Sequence, residues 1–363
     1  MQSVFNNGLI RLRVNKEKYD PKYIFYNLQS NKYLAHINSI AYSTSTQPNM
    51  KIKDFLRMDI EDLDLQEQKR IAHILGTLDD KIELNRKMNQ SLEAMAQALF
   101  QSWFVDFDPV LDNALAAGNP IPEPLQKKAD KRNQAEASKK LINTNPALAK
   151  LFPSTFVFNE TLNKWIPEGW SNVKFDDLIE FIVDNRGKTP PITTDELNNK
   201  YPLIEVNSLR GENRFYDSSV IKKHVDESIF NNWFRKGHPQ KGDILLSTVG
   251  SIGEICLVGY DEVCIAQNII SLRSEKIGPY IYELLKCKKT ELINLDISSV
   301  QPSIKVPHLL NWDVQGDHGL EIVFSSYLES MNNSIHQNDQ EIKNLVKTRD
   351  ILLPKLISGK IKV

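Results

Sequence analysis

Residues 65–104 and 320–358 carry the same apolar stripe twice. In the first, Ile71, Leu75, Leu78, Ile82, Leu92 and Leu99 recur at the steps of three and four that mark one face of an α-helix. In the second, Phe324, Leu328, Met331, Ile335, Ile342, Leu345 and Leu352 do the same. The stripes align at a constant offset, Ile71 against Phe324 through Leu99 against Leu352, and Asn85 falls opposite Asn338. Each stretch predicts one helix of about 60 Å. Gly76 is the one weak point inside the first. Either helix alone would leave an apolar seam in water, so the sequence predicts that the two pair as an antiparallel coiled coil. For Asn85 and Asn338 two readings stand. Each is a buried amide that fixes register at a cost in stability, or an amide at the seam edge that touches water.

The repeat extends upstream of the helices. Lys22-Tyr23-Ile24-Phe25-Tyr26-Asn27-Leu28 parallels Pro279-Tyr280-Ile281-Tyr282-Glu283-Leu284-Leu285, and Gln47-Pro48-Asn49-Met50-Lys51 parallels Gln301-Pro302-Ser303-Ile304-Lys305. Val4–Arg13 parallels Cys264–Arg273, give or take one residue. Ile10, Leu12 and Val14 alternate with Arg11 and Arg13, which predicts a half-buried strand there. The repeat unit is therefore a β-rich part followed by a long helix. Its second copy starts near Trp165 and its first copy only at its last strand, so the expectation is an incomplete first domain with an exposed edge.

At 363 residues the chain has room for two domains, and its apolar and charged fractions, 41% and 25%, are those of an ordinary globular protein. No apolar run approaches bilayer length, and the first residues lack the basic-then-apolar order of a signal peptide. Cys256, Cys264 and Cys287 show no paired spacing and read as reduced thiols. The expectation is a cytoplasmic protein without a membrane partner. The net charge of −1 means that any nucleic-acid footprint is local.

Residues 108–150 turn polar and basic, with Asn119-Pro120-Ile121-Pro122-Glu123-Pro124 and then Lys127, Lys128, Lys131, Arg132, Lys139 and Lys140. This reads as a connector with a solvated surface, or as one that grazes a phosphate backbone. From Trp165 the chain becomes mostly β. Strands are predicted at Tyr201–Val206, Ile244–Ser247, Glu254–Val258, Val263–Ile265 and Ile269–Leu272, with a glycine turn at Gly250–Gly253. Catalytic signatures are missing. Gly187-Lys188-Thr189 lacks the upstream glycine of a nucleotide-binding loop, Asn145-Pro146-Ala147 lacks the aromatic of an amino-methyltransferase, and no HExxH or GxSxG occurs. That argues for a binding and assembly protein with no cofactor and no metal.

Several segments carry a specific resemblance. Glu67-Gln68-Lys69-Arg70-Ile71-Ala72, Leu78–Asn85, Ala96–Asp108 with its Ser102-Trp103-Phe104-Val105-Asp106-Phe107-Asp108 core, and Leu352–Ile361 resemble the specificity subunit of type I restriction–modification enzymes. Pro167-Glu168-Gly169-Trp170, Gly242-Asp243-Ile244-Leu245 and Gly250-Ser251-Ile252-Gly253 resemble its target recognition domain. The resemblance implies an α+β fold in which mixed, mostly-β recognition domains are joined by two long antiparallel coiled-coil helices in a pseudo-twofold internal repeat. It implies a non-catalytic subunit that reads double-stranded DNA. Methyltransferase subunits would dock on the helices, and a motor-nuclease restriction subunit would complete the complex. The expected division is 1–62 as a partial first recognition domain, 63–108 as the first long helix, and 109–155 as a basic, proline-containing linker. Residues 156–318 then form a complete recognition domain, and 319–363 the second helix and tail. The alternative is a truncated or split remnant that binds methyltransferase but needs a second copy or a complementary fragment. A self-contained restriction–methyltransferase polypeptide is opposed by the missing motifs.

Base reading needs donor and acceptor side chains on loops able to enter a groove. Five loops qualify: Asn185, Arg186, Lys188 and Thr189; Asn207, Ser208, Arg210 and Arg214; Ser247, Thr248 and Ser251; Gln267 and Asn268; and Gln301. Each of these residues has an equally good reading as a turn or cap. Lys222, Lys223, Arg235 and Lys236 would meet phosphate or only solubilise the surface.

Overall fold

The structure is a computed structural model, and it describes the chain except residues 1–9, 42–50, 62, 135–139, 161, 188, 193–199, 260–261, 297, 299–300 and 317–318. The chain divides into two compact units, residues 1–90 with 337–363, and residues 91–336.

The first unit holds α1 (Pro21–Gln29), α2 (Asn31–Ala41), α3 (Ile52–Phe55) and most of α4 (Leu65–Phe100). α1 starts where a helix should. Asp20 accepts from the amides of Lys22 and Tyr23, and Pro21 occupies the first turn, where its missing N–H costs nothing. Its Tyr23, Ile24 and Tyr26 pack on Ile71, Ala72 and Leu75 of α4 and on Leu353, Leu356 and Ile357 near the chain's end. Gly76 lies at that contact, where an added Cβ would stand 3.3 Å from Lys22 Nζ. Ile10–Val14 does not form the expected strand: Ile10 and Leu12 are exposed, and no described strand lies beside it to complete its backbone hydrogen bonds. Residues 1–9 and the Gln47–Met50 part of the repeat lie outside the described residues.

The second unit begins as α4 ends. A π-helical turn at Gln101–Val105 and a left-handed Phe107 (φ 59°) redirect the chain into α5 (Asp108–Ala117). A non-glycine residue holds that conformation only where packing over-determines it. Here the Phe107 ring is buried 5.5 Å from Trp170. Trp103 and Phe104 join Phe100, Tyr280 and Phe324 in one aromatic cluster. The Trp103–Asp108 motif is thus an aromatic anchor. The basic connector folds as well, into α5, α6 (Glu123–Gln134), α7 (Leu141–Thr144) and α8 (Pro146–Ala149). Leu111, Leu125 and Ala129 bury against each other, and Arg132 pairs with the buried Asp112.

Eleven described strands follow the connector: β1 (Phe156–Asn159), β2 (Lys164–Pro167), β3 (Ser171–Lys174), β4 (Phe181–Val183), β5 (Tyr201–Ile204), β6 (His224–Val225), β7 (Ile244–Ser247), β8 (Ile255–Leu257), β9 (Cys264–Ile265), β10 (Ile269–Arg273) and β11 (Asp313–Gly316). They are interleaved with α9 (Glu227–Trp233), α10 (Gly278–Cys287), α11 (Lys289–Ile293) and α12 (Val306–Leu310), and α13 (Leu320–Ile357) closes the chain. The central sheet has the order β4-β10-β7-β8 and is antiparallel throughout. β7, β8 and nearly all of β10 are buried on both faces, while Phe181 of the edge strand β4 is exposed. Ile244, Leu246, Ile270 and Leu272 face the aromatic cluster, while Leu245, Cys256 and Ile269 face a second core with Ile204 and Leu209. A smaller sheet, β6-β5-β9, pairs β5 parallel to β9. The Gly242–Leu245 motif has a structural task. Asp243 is buried and takes two hydrogen bonds from Arg273, at 2.9 and 2.8 Å, and one from Ser271 at 3.0 Å.

α4 and α13 run antiparallel. In the first unit Asp79 meets Arg349, Lys81 and Asn85 meet Glu341, and Asn89 meets Asp339, so rising numbers on one helix meet falling numbers on the other. The duplicated Tyr-Ile segments form α1 and α10, each with a proline in the first turn.

Candidate nucleic-acid interface

Five segments of the second unit converge on one concave polar surface. A cavity of about 470 Å3 is lined by Thr189, Glu205, Asn207, Lys223, Gln267 and Asn268 among others. A neighbouring one of about 500 Å3 is lined by Asp184, Arg186, Gly187, Val249, Gln267 and Asn268. Gln267 and Asn268 belong to both, so the surface is continuous.

Main-chain hydrogen bonds hold these loops to the sheets. Ala266 N–H donates to Ile204 O (2.9 Å) and Thr248 N–H to Asn268 O (2.8 Å). Ile304 N–H donates to Thr248 O (2.8 Å) and Gly250 N–H to Pro302 O (2.9 Å), which brings the Gln301 segment beside the glycine turn. The side chains of Thr189, Asn207, Gln267 and Gln301 are exposed, and Asn268 is half-buried. None of the five makes a side-chain hydrogen bond to another described residue in this conformation. Their donors and acceptors are therefore available to an incoming surface.

Other predicted readers are already engaged. Asn185 donates to Gly237 O (3.1 Å) and accepts from Lys236 N–H (3.3 Å), so it holds a loop. Arg186 forks onto Asp184 with two contacts of 2.8 Å. Burial works to raise the Asp184 carboxyl, but the Arg186 bonds and the nearby Lys236 charge hold it below the usual carboxylate range. Arg210 is exposed and donates to Ser251 Oγ (3.0 Å) at the rim. Lys188 lies outside the described residues.

Four expectations are corrected. Ser208, Ser247 and Thr248 are buried. Ser247 Oγ donates to Ser251 O (2.6 Å) and accepts from Glu254 N–H (2.8 Å), closing the turn from within. Ser247 and Thr248 continue a strand covered on both faces, so they point into protein. The glycine turn does not offer its amides to phosphate either, because Gly250, Ile252 and Gly253 each donate to a carbonyl of the chain.

Arg214 is the fourth correction. Its side chain is fully buried and its guanidinium spends its donors on three elements: Glu93 of α4 (2.7 and 2.9 Å), Glu283 of α10 (2.5 Å) and Asn332 of α13 (2.9 Å). It also lies 4.6 Å from the Tyr282 ring centre. Two carboxylates share one cation here. Burial drives the Glu283 carboxyl above its usual range despite Arg214, and Glu93 pushes the same way. The loop that carries Arg210 on the polar face is thus pinned by Arg214 to the helical side of the same unit.

The two seam amides divide. Asn85 is buried and donates to Glu341 (2.8 Å), while its Oδ1 has no partner among the described residues. Asn338 is half-buried and donates to Asn89 Oδ1 (2.8 Å). They do not bond each other. The sequence reading missed Glu205 at the cavity, although its place between a strand and a loop was visible. Among the described residues no cluster of His, Cys, Asp and Glu is arranged to hold a metal, and no helix is long and apolar enough to cross a membrane.

Comparison with known proteins adds a further line. The family model described as type I restriction modification DNA specificity domain matches residues 1–94 and 167–315, well over half of the chain. The type I restriction enzyme HindI specificity subunit of Haemophilus influenzae is 27% identical over 377 aligned positions, which cover 94% of this chain and 77% of that protein. The MjaIX specificity subunit of Methanocaldococcus jannaschii is 24% identical over 96% of this chain and 71% of that protein. Among solved structures, a type I restriction–modification S subunit from M. genitalium aligns over 94% of this chain and 74% of that one, at 16% identity and a TM-score of 0.47.

Proposed function

The chain belongs to the type I restriction modification DNA specificity family, and from that premise we propose that it is the non-catalytic subunit that tells a type I complex where to act. In this reading residues 156–318 form the recognition domain, and its polar surface meets the major groove of double-stranded DNA. Thr189, Asn207, Gln267, Asn268 and Gln301 offer hydrogen bonds to base edges. Arg186 and Arg210 lie where a phosphate backbone would pass. One observation carries the proposal: amide and hydroxyl side chains with no side-chain partner among the described residues converge on a concave surface whose loops are tied to the sheets by main-chain hydrogen bonds.

The segments 63–108 and 319–363 serve as the scaffold on which methyltransferase subunits dock, and a restriction subunit joins them. A second copy of the chain or a complementary fragment supplies any further half-site. Asn85 and Asn338 with their cross-helix partners set the register of the pair, because a shift by one turn would break both bonds and leave the buried Asn85 amide without its acceptor.

The test is co-production with a type I methyltransferase subunit and sequencing of methylated sites in a randomised DNA library. A fixed short motif is expected, and Asn207→Ala together with Gln267→Ala should relax it at defined positions. Methylation without sequence preference, or a motif indifferent to those substitutions, would refute the assignment of this surface.

A further inference from the structure

We infer that Glu205 is a specificity-determining residue that demands an amino-bearing base, cytosine or adenine, at one position of the DNA site, with Lys223 as its built-in counter-charge; this rests on the reading above that the polar surface meets DNA.

The first observation is placement. Among the described residues Glu205 is the only carboxylate lining the cavity that it shares with Thr189, Asn207, Gln267 and Asn268. Its backbone is fixed on both sides. The preceding Ile204 is buried in β5 and accepts from Ala266 N–H at 2.9 Å, and Glu205 O accepts from Ser208 N–H at 2.9 Å. Lys223 is held equally well, since its carbonyl accepts from Leu203 N–H at 2.9 Å. The two side chains meet at 2.7 Å through Glu205 Oε1. Oε2 makes no hydrogen bond to a described residue.

The second observation is chemical. The amides and hydroxyl of this cavity both donate and accept, so each can adapt to several bases. Glu205 only accepts. In the major groove, cytosine N4 and adenine N6 present donors, whereas guanine presents O6 and N7 and thymine presents O4. A fixed acceptor thus favours the first two bases and repels the acceptor edges of the others.

The third observation concerns cost. A carboxylate beside a polyanion is repelled, and Lys223 cancels that charge locally. The pair itself does little for the fold, because its side chains are 36% and 44% exposed and ion pairs that open to water contribute little. Its chemistry is explained by what it faces.

The experiment uses the chain in complex with a type I methyltransferase subunit and reads the methylated motif from a randomised library. Variants are Glu205→Gln, Lys223→Met and, as a separate arm, Asn207→Ala with Gln267→Ala. Glu205→Gln should melt like the parent and admit guanine or thymine at a single position, shifting the base preference there by about 10-fold or more, with the rest of the motif unchanged. Lys223→Met should lower methylation at all sites while keeping the preference. If Glu205→Gln leaves the motif intact while the amide variants alter it, the surface reads DNA and the role of Glu205 is wrong. If no arm alters the motif, the surface itself is not the reader and both statements fall.

Discussion

Replacing Arg214 with methionine should unfold the second unit far more readily than any surface change. The guanidinium is fully buried and bonded to Glu93, Glu283 and Asn332. Methionine fills much of the same space but carries no charge, so two carboxylates remain in a buried site without a cation. Breaking a buried pair by removing one partner costs about 3–5 kcal/mol. For a folding unit of roughly 150–250 residues each kcal/mol moves the melting temperature by about 2–4 °C, so a fall of about 10 °C is expected. Differential scanning calorimetry on the parent and Arg214→Met measures it. The cause is then isolated by adding Glu93→Gln and Glu283→Gln to the methionine variant. If stranded charge is the source, the triple variant should recover most of the loss. A methionine variant that melts within about 1 °C of the parent, or a triple variant no better than the single one, would refute the argument.

Further outcomes follow from the same geometry. Glu283 has a carboxyl whose affinity for a proton is raised by folding, so the unfolded chain releases that proton first as pH rises above about 4.3. The stability of the parent relative to Glu283→Gln should therefore fall as pH climbs from that point and level off once the folded carboxyl ionises; equal pH profiles in urea titrations would contradict this. Gly76→Ala should stabilise the first unit by about 0.5–1 kcal/mol, because the added Cβ comes close only to the flexible Lys22 Nζ (3.3 Å), with Tyr26 Oη at ordinary contact distance (3.9 Å), while the helix gains propensity; a lower urea midpoint would show that the contact with α1 is tighter. Burial pushes the Cys256 and Cys264 thiols up to about 12; Cys287 is pushed up as well, chiefly by partial burial, but it alone is exposed to a reagent. At pH 8 a thiol reagent should therefore label one cysteine per native chain, at Cys287, and all three in guanidinium.

The long helices were legible because a stripe at steps of three and four over such a length admits few alternatives. The strands from Ile244 to Leu272 were legible because continuous apolar runs bounded by glycine and amide turns read as buried strands. Burial of individual polar residues was not. Arg210 and Arg214 are the same residue type four positions apart in one loop, yet one lies at the rim and the other is sealed beneath it. Local sequence carries no mark of Glu93 and Glu283, more than 60 positions away on either side. Ser247 and Thr248 were misread for a related reason: a glycine turn signals exposure, whereas the strand leading into it is central. Ile10–Val14 shows the converse, since alternation gives a strand only where a neighbour completes its hydrogen bonds.

The loops of the polar surface are held by bonds between main-chain atoms, which every residue except proline can make. Their geometry therefore does not depend on which side chains occupy Thr189, Asn207, Gln267 and Gln301. Exchanges at such exposed positions usually cost no more than about 0.5 kcal/mol. The surface behaves as a socket into which different side chains can be fitted while its frame stays the same. A library randomised at those four positions, with Arg214, Asp243 and Arg273 left in place, should yield folded chains at high frequency. On the proposed reading of this surface, diversity in what is read can then accumulate faster than diversity in what holds the reader together.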